Sequence, residues 1–311
     1  MMKKINDIIG DAKTIGIAGH LRPDGDCMGS CMSLYNYLKK NRPDLDVRVF
    51  LEFVDKKFNI IENTDQIITT GYDGTKFDLV ISLDTASLDR LGLNLPFYEN
   101  AKRTACIDHH ASNDGYADYN YILPKASSAS EVLYDLLDED LIDKSIAEPM
   151  YMGIAHDSGV FRFQSTTPKT MRIAANMIEK GVNVNMILEE TFFRKTYNQM
   201  MVTAKIQSEA VLALDGKCIY GYCTSEMMEE YGVTTKDLDA VVASIRNVDG
   251  VEVAMFLYQL SEDSYKVSLR SKNYVDVSKI AVENGGGGHV RAAGAEIHGE
   301  LNDIIKKLLN R

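Results

Sequence analysis

Short apolar runs alternate with longer amphipathic stretches through the first half of the chain. Thr14–Ala18, Val47–Phe53, Leu79–Leu83 and Thr104–Ile107 are rich in apolar and β-branched residues and predict strands. Between and after them, Cys27–Lys40 and Ser130–Leu137 carry helical spacing, and Ser128 with Glu131 predicts a capping box for the second. This alternation predicts an α/β domain with a mostly parallel sheet and helices on both faces. Residues 186–210 contain neither Gly nor Pro and read as helix, a connector rather than a floppy linker. Beyond them the texture changes. Leu212–Leu214 and Cys218–Cys223 flank Asp215-Gly216, a hairpin signal, and Val251–Leu260 pairs with Tyr265–Arg270 around Ser261–Ser264. A helix over Val275–Glu283 then runs into Asn284 and four glycines. The expected organisation is an α/β domain over 1–190, a helical connector over 191–209, and a smaller α+β domain over 210–311.

Composition narrows the class. Of 311 residues, 45% are hydrophobic and 25% charged, enough for two real cores and inconsistent with disorder or a disulfide-stapled miniprotein. No run approaches the roughly eighteen apolar residues of a membrane span. Asp7, Asp11 and Lys13 interrupt the N-terminal stretch, unlike a signal peptide, so a cytoplasmic location is expected. The formal net charge is −11, with no basic tail, which argues against a partner such as long duplex nucleic acid. A small anionic ligand still fits, because a bound metal reverses the field inside one cleft. The five cysteines (27, 31, 106, 218 and 223) contain no CxxC and lack common zinc spacing, so packed, reduced thiols are expected.

The chemistry-bearing residues sit where predicted strands end. Ile15–Ala18 leads into His20, Asp24 and Asp26; Leu79–Leu83 into Asp84; Ala105–Ile107 into Asp108, His109 and His110. In an open parallel sheet, ligands bind just beyond the carboxyl ends of the strands. Asp157, within Gly153–Gly159, is placed to reach the same edge. Singly, each has a bland reading. Asp24 or Asp26 caps a helix, Asp84 caps another, His109 and His110 lie on the surface, and His156 packs. Independent caps, however, have no reason to gather histidines and several carboxylates at successive strand ends. Asp24, Asp26, Asp84 and Asp157 carry −4 when ionised and repel one another if packed together. Two divalent cations cancel that charge, and neutral imidazoles from His20 and His109 complete the shells. Mixed imidazole and carboxylate ligands favour Mn²⁺ over Mg²⁺. Two metals about 3.5–4 Å apart are a standard device for displacement at phosphorus.

The segments GHLRPDGD, LDTAS, IDHH and AHDSG, followed by VSLRS (267–271) and GGGGHVRAAG (285–294), occur in an order that resembles the DHH phosphoesterase superfamily with its DHH-associated C-terminal domain. The resemblance spans nearly the whole chain. It is strongest to the branch that hydrolyses short oligoribonucleotides (nanoRNA) and adenosine 3′,5′-bisphosphate (pAp). It implies one metal held by His20, Asp24 and Asp84, and a second by Asp26, Asp84, His109 and Asp157. His110 is left outside both shells, toward the scissile phosphate or leaving oxygen, and Asp108 orients a neighbour. A sister group implies the alternative of a phosphodiesterase for linear or cyclic di-adenosine phosphates. Inorganic pyrophosphatase and a non-catalytic nucleotide-binding regulator are weaker rivals.

The glycine segment lacks both the Lys-[Ser/Thr] of a P-loop and a GxGxxG unit. It reads either as a helix stop or as an anion site. In the second reading, amides of Gly286, Gly287 and Gly288 approach a phosphate, His289 and Arg291 supply charge, and Arg270 with Ser271 clamps the same ligand. The first domain then cuts, and the second holds a terminal phosphate or nucleotide of pAp, pApA or a short oligoribonucleotide. No membrane partner is expected, and a homodimer is left open.

Overall fold

The computed structural model describes residues 4–238 and 241–310, with the side chain of His289 outside the described set. Strands β1 (Thr14–Ala18), β2 (Asp46–Phe50), β3 (Leu79–Leu83), β4 (Thr104–Asp108) and β5 (Tyr119–Ile122) form a fully parallel sheet in the order β2-β1-β3-β4-β5. Every residue of β3 is buried, because helices or loops cover both sheet faces, and such strands read as near-continuous apolar runs, interrupted here only by Ser82. One face packs Ile15, Ile17, Leu79, Ile81 and Ile107 against Met28, Met32, Met150 and Ile154 of the helices Gly25–Asn41 and Lys144–Asp157. The other face packs Ala18, Phe50 and Val80 with Phe77 and Phe97.

Four local features differ from the sequence-based expectations. β2 stops at Phe50, because Leu51 donates to the Ile68 carbonyl and Ile68 donates to Val49, drawing the chain into a loop and leaving Phe53 exposed. β5 was not anticipated; it is a short edge strand without a buried residue. Ser128 does cap the helix Ala129–Leu136, its Oγ accepting from the Glu131 amide at 3.0 Å. The reciprocal half of the box is missing, since Glu131 Oε2 accepts instead from Ser127 Oγ and Thr170 Oγ1, each at 2.7 Å. Finally, 186–210 is not one helix. Val184–Leu188 continues into a π-helical turn over Glu189–Phe193, the chain breaks, and a new helix runs Tyr197–Glu209. The restart is local chemistry: Thr196 and Gln199 cap reciprocally, with Gln199 N to Thr196 Oγ1 at 3.1 Å and Thr196 N to Gln199 Oε1 at 2.8 Å.

The chain divides at that break into two compact units, one ending at Arg194 and one starting at Lys195. The second unit holds β6 (Val211–Ala213), β7 (Cys218–Cys223), β8 (Val253–Ser261), β9 (Ser264–Ser271), β10 (Gly287–His289) and β11 (Ala292–His298). Their order is β10-β11-β9-β8-β7-β6; β7 and β8 run parallel and the other pairs antiparallel. The β6–β7 hairpin turns through Leu214, Asp215 and Gly216, all with positive φ. Helices Val277–Glu283 and Leu301–Leu309 pack Val277, Ile304 and Leu308 on Leu257, Val267 and Leu269. Val202, Ile206 and Val242 cover Ile219, Ala254 and Phe256. Among the described residues, no helix is long and apolar enough to cross a membrane.

Candidate metal centre

In the first unit the strand order reverses beside β1, where β2 lies on one side and β3 on the other, and the crevice beyond such a point is where open α/β sheets bind ligands. His20 follows β1, Asp84 follows β3, and Asp108 ends β4, with His109 and His110 just beyond it. Asp24 is the N-cap of the helix Gly25–Asn41, its Oδ1 accepting from the amides of Asp26 and Cys27 at 3.0 and 3.1 Å. The bland reading of Asp24 as a cap and its place beside the histidine therefore coincide. Asp26 lies in the first turn of that helix, and Asp157 ends the helix Lys144–Asp157.

Asp84 is the centre of the arrangement. Its backbone φ is +52°, a conformation that Asp and Asn tolerate better than most residues. The side chain is buried, and its two oxygens face different imidazoles: Oδ2 lies 3.4 Å from His20 Nε2, and Oδ1 3.4 Å from His109 Nε2. Asp157 Oδ2 approaches the same His109 nitrogen at 3.1 Å, and Asp24 Oδ1 approaches His20 Nε2 at 3.8 Å. Ligand atoms of Asp26, His109 and Asp157 lie within 4.8 Å of one another. His20 Nδ1 is 2.7 Å from the Leu21 carbonyl, which only accepts, so Nδ1 carries the proton and Nε2 is aimed at the carboxylates.

These residues fit divalent cations. Asp84 Oδ1 is a buried oxygen without a hydrogen-bond partner. Ligand atoms about 2.1 Å from a common ion are separated by ~3.0–3.4 Å, close to the spacings seen here. The electrostatics point the same way. Burial opposes a charge on His109, but Asp84, Asp157 and Asp26 outweigh it and push the imidazole up to about 10. Burial also opposes a charge on His20, yet Cys27, Asp24 and Asp84 hold it far above the ordinary histidine range. Burial and then Asp84 push Asp26 up to about 7, and burial and then Asp26 hold Asp157 well above the usual carboxylate range. Without cations, the cluster retains protons to offset its negative charge.

Two sets of hydrogen bonds support the cluster, and the first of them was not visible in the sequence. Asp26 is fully buried, and its carboxylate accepts from Ala129 N at 2.6 Å, Ser130 N at 3.0 Å and Ser130 Oγ at 2.6 Å, at the start of the helix Ala129–Leu136. Asp108 accepts from His110 Nδ1 at 2.8 Å and from Asn113 Nδ2 at 2.7 Å, while Asn113 also donates to the Thr85 carbonyl. Burial would raise Asp108, but His110 and Asn113 hold it below the usual carboxylate range. His156, by contrast, is packed. Burial lowers it to about 4, and its Nε2–H donates to Thr191 Oγ1 at 2.8 Å, since that hydroxyl gives its own proton to the Ile187 carbonyl. The Ser130 contact predicts that Ser130→Ala weakens Mn²⁺ binding by roughly 10–100-fold in calorimetric titration. Ser128 still caps the helix in that variant, so an unchanged affinity would show that the hydroxyl merely packs.

In the second unit, the start of the glycine segment takes the first of its two readings, a helix stop. The amides of Gly285 and Gly286 donate to the carbonyls of Val282 and Ala281, ending the helix, so the Gly286 amide is not offered to an anion. A Cβ on Gly286 would lie 2.1 Å from the Gly294 carbonyl, so glycine is required by close backbone packing. Gly287, Gly288 and His289 form β10, paired to Gly294, Ala293 and Ala292; the His289 side chain lies outside the described residues. Arg291 is turned inward: its guanidinium donates to the carbonyls of Val275, at 2.8 Å, and Asn273, and reaches Ser271 Oγ at 3.4 Å. The amides of residues 273–275 donate to buried Glu252, so Arg291 and Glu252 brace one loop from two sides. Arg270 sits at the end of β9, paired with Ala292, and donates to its neighbour's carbonyl at 2.9 Å. Ser271 is buried beside it, with Oγ 3.4 Å from the Val290 carbonyl. All five cysteines are buried and unpaired by disulfides.

The fold and this cluster define a DHH-type phosphoesterase architecture, and the chain belongs to the DHH family. Residues 14–154 match the DHH family, N-terminal domain, and residues 215–311 match the DHHA1 domain. Among its relatives, the bifunctional oligoribonuclease and PAP phosphatase NrnA of Thermus thermophilus is 32% identical, over 95% of this chain and 88% of that protein. The protein of the same name from Bacillus subtilis is 28% identical, over 92% of this chain and 90% of its own length. An exopolyphosphatase-related protein from Bacteroides fragilis shares the fold, with a TM-score of 0.90 at 23% identity, covering 98% of this chain and 94% of that one.

Proposed function

We propose that this protein is a two-metal phosphoesterase that hydrolyses short oligoribonucleotides and adenosine 3′,5′-bisphosphate to mononucleotides. The observation that carries the reading is Asp84, whose two oxygens face His20 and His109 at equal 3.4 Å distances among three further carboxylates. His20, Asp24 and Asp84 would hold one ion, and Asp26, Asp84, His109 and Asp157 the other, with Asp84 shared. The imidazole content of the set favours Mn²⁺. Bound cations supply positive charge to a phosphoryl group on which negative charge develops.

The remaining work falls to the chain itself. Asp108 fixes the His110 ring through Nδ1, which directs Nε2 away from it, suited to contact the scissile phosphate or, from the imidazolium form, to give a proton to the leaving oxygen. Ser130 and the amides of residues 129 and 130 hold Asp26 in place. The unit from Lys195 onward is assigned to nucleotide binding, with Arg270, Ser271, His289 and the Gly287–Gly288 backbone as the contact set and Arg291 as the brace of the adjoining loop. A net charge of −11 argues against a long polymer as the substrate.

The test is a product-resolved panel of pAp, pApA, a short oligoribonucleotide, cyclic di-AMP and pyrophosphate under one Mn²⁺ condition. The expected products are AMP and phosphate from pAp, and mononucleotides from the oligomers. Turnover of pyrophosphate alone, or tight nucleotide binding without products, would overturn the reading. Within the same panel, Arg270→Ala is expected to raise KM for pAp by about 10–100-fold, the worth of a charge-assisted phosphate contact, and to leave a generic small phosphodiester within about twofold. Equal losses on both substrates would remove the clamp.

A further inference from the structure

Cys27 stands apart from the other four cysteines. Its Sγ, a ring nitrogen of His20 and a carboxylate oxygen of Asp84 lie within 4.8 Å of one another, and all three residues are buried. The residue is in the first turn of the helix Gly25–Asn41, and its amide donates to Asp24 Oδ1 at 3.1 Å. One residue therefore contacts the Asp24 carboxylate through its backbone and approaches the other two members of that half-site through its sulfur. The end of β1 is shaped to admit that sulfur: a Cβ on Gly19 would lie 2.3 Å from Cys27 Sγ. A side chain at residue 19 would displace the thiol, and glycine leaves it beside His20. On the other side of the same half-site, Asp84 Oδ2 lies 3.4 Å from His20 Nε2.

We propose that Cys27 is a sulfur ligand of the metal position shared by His20 and Asp84, engaged when a borderline or soft divalent cation such as Co²⁺, Zn²⁺ or Cd²⁺ binds there. The inference rests on the metal assignment given above. On binding, a sulfur–metal bond forms, the S–H bond breaks, and the proton leaves to solvent. An oxygen-and-nitrogen set ranks cations by hardness and size, and adding a thiolate tilts that ranking toward thiophilic ions. The half-site centred on His109, which gathers Asp26 and Asp157, has no sulfur in its group, so the two positions are chemically unequal.

Absorption spectroscopy of the Co²⁺-loaded protein tests this without reference to turnover. The wild-type protein is expected to show visible ligand-field bands together with a near-ultraviolet sulfur-to-cobalt charge-transfer band. Cys27→Ser and Cys27→Ala should lose the near-ultraviolet band and retain the visible ones. In competition, the preference for Cd²⁺ over Mn²⁺ should fall by about tenfold or more in both variants. X-ray absorption of the Zn²⁺-loaded wild-type protein needs no variant and should contain a sulfur shell at about 2.3 Å. Visible bands without charge transfer, or a charge-transfer band that survives in Cys27→Ser, would leave the metal centre standing and overturn the sulfur ligand. Absence of every cobalt band would overturn the metal centre and the inference together.

Discussion

Asp84→Asn is expected to lower turnover of pAp and short oligoribonucleotides by on the order of 10³-fold or more, with little change in the metal-free fold. The substitution is chosen for its backbone. Residue 84 has φ +52°, and Asn enters that left-handed region at least as readily as Asp, whereas most other residues add strain there. What changes is charge. Asp84 attracts His20 and His109, and it opposes ionisation of Asp26 and Asp157. Removing it loses the first effect and relieves the second, so the melting temperature of the metal-free protein should move by only a few degrees. The rise in melting temperature on adding Mn²⁺ should disappear, because the neutral amide no longer offers two anionic oxygens to two cations. Steady-state turnover and thermal unfolding with and without Mn²⁺ read both effects. Full activity, or an undiminished Mn²⁺ effect, would remove Asp84 from the bridge.

The legible part of the site follows from burial on both sheet faces. β1, β3 and β4 are mostly apolar runs because helices or loops cover them above and below, so each run ends visibly at the first polar residues beyond it. His20, Asp84 and Asp108–His110 are those first polar residues, and a parallel sheet places such ends along one edge. Nothing comparable marks β5, whose Tyr-Asn-Tyr-Ile run lies at the edge without a buried residue. The π-helical turn and the break before Tyr197 were hidden for another reason. Absence of Gly and Pro favours helix in general, but the capping pair Thr196 and Gln199 restarts one in particular, and that four-residue signal was available in the sequence.

Long-range hydrogen bonds were beyond reach. Ser130 meets Asp26 across 104 positions of sequence, and only the packing of two helices on the sheet brings them together. The basic residues near the glycine segment show the same limit from the other side. An arginine after four glycines reads as a phosphate ligand, but pairing of β11 with β9 sets the Arg291 carbonyl against the Ser271 amide, and the guanidinium then closes on the carbonyls of residues 273 and 275.

Removal of metal has the second large expected effect. Chelation with EDTA should abolish turnover and lower the melting temperature, and Mn²⁺ should restore both. A cation bound only by the folded state at about a thousand times its Kd stabilises by roughly 4 kcal/mol. For a folding unit of the size that ends at Arg194, each kcal/mol moves the midpoint by about 2–4 °C, so a shift of roughly 8–16 °C is expected. All the proposed ligands lie in that unit, which also makes the effect local. Hydrogen exchange should show new protection in the first turns of the helices Gly25–Asn41 and Ala129–Leu136 and at the ends of β1, β3 and β4. The six-stranded sheet of the second unit should exchange as before, since its two cores contain none of the ligands. A Mn²⁺ effect confined to that second sheet, or no thermal response to either EDTA or Mn²⁺, would contradict a metal site built on Asp84, because cations bound among these carboxylates must stabilise the elements that carry them.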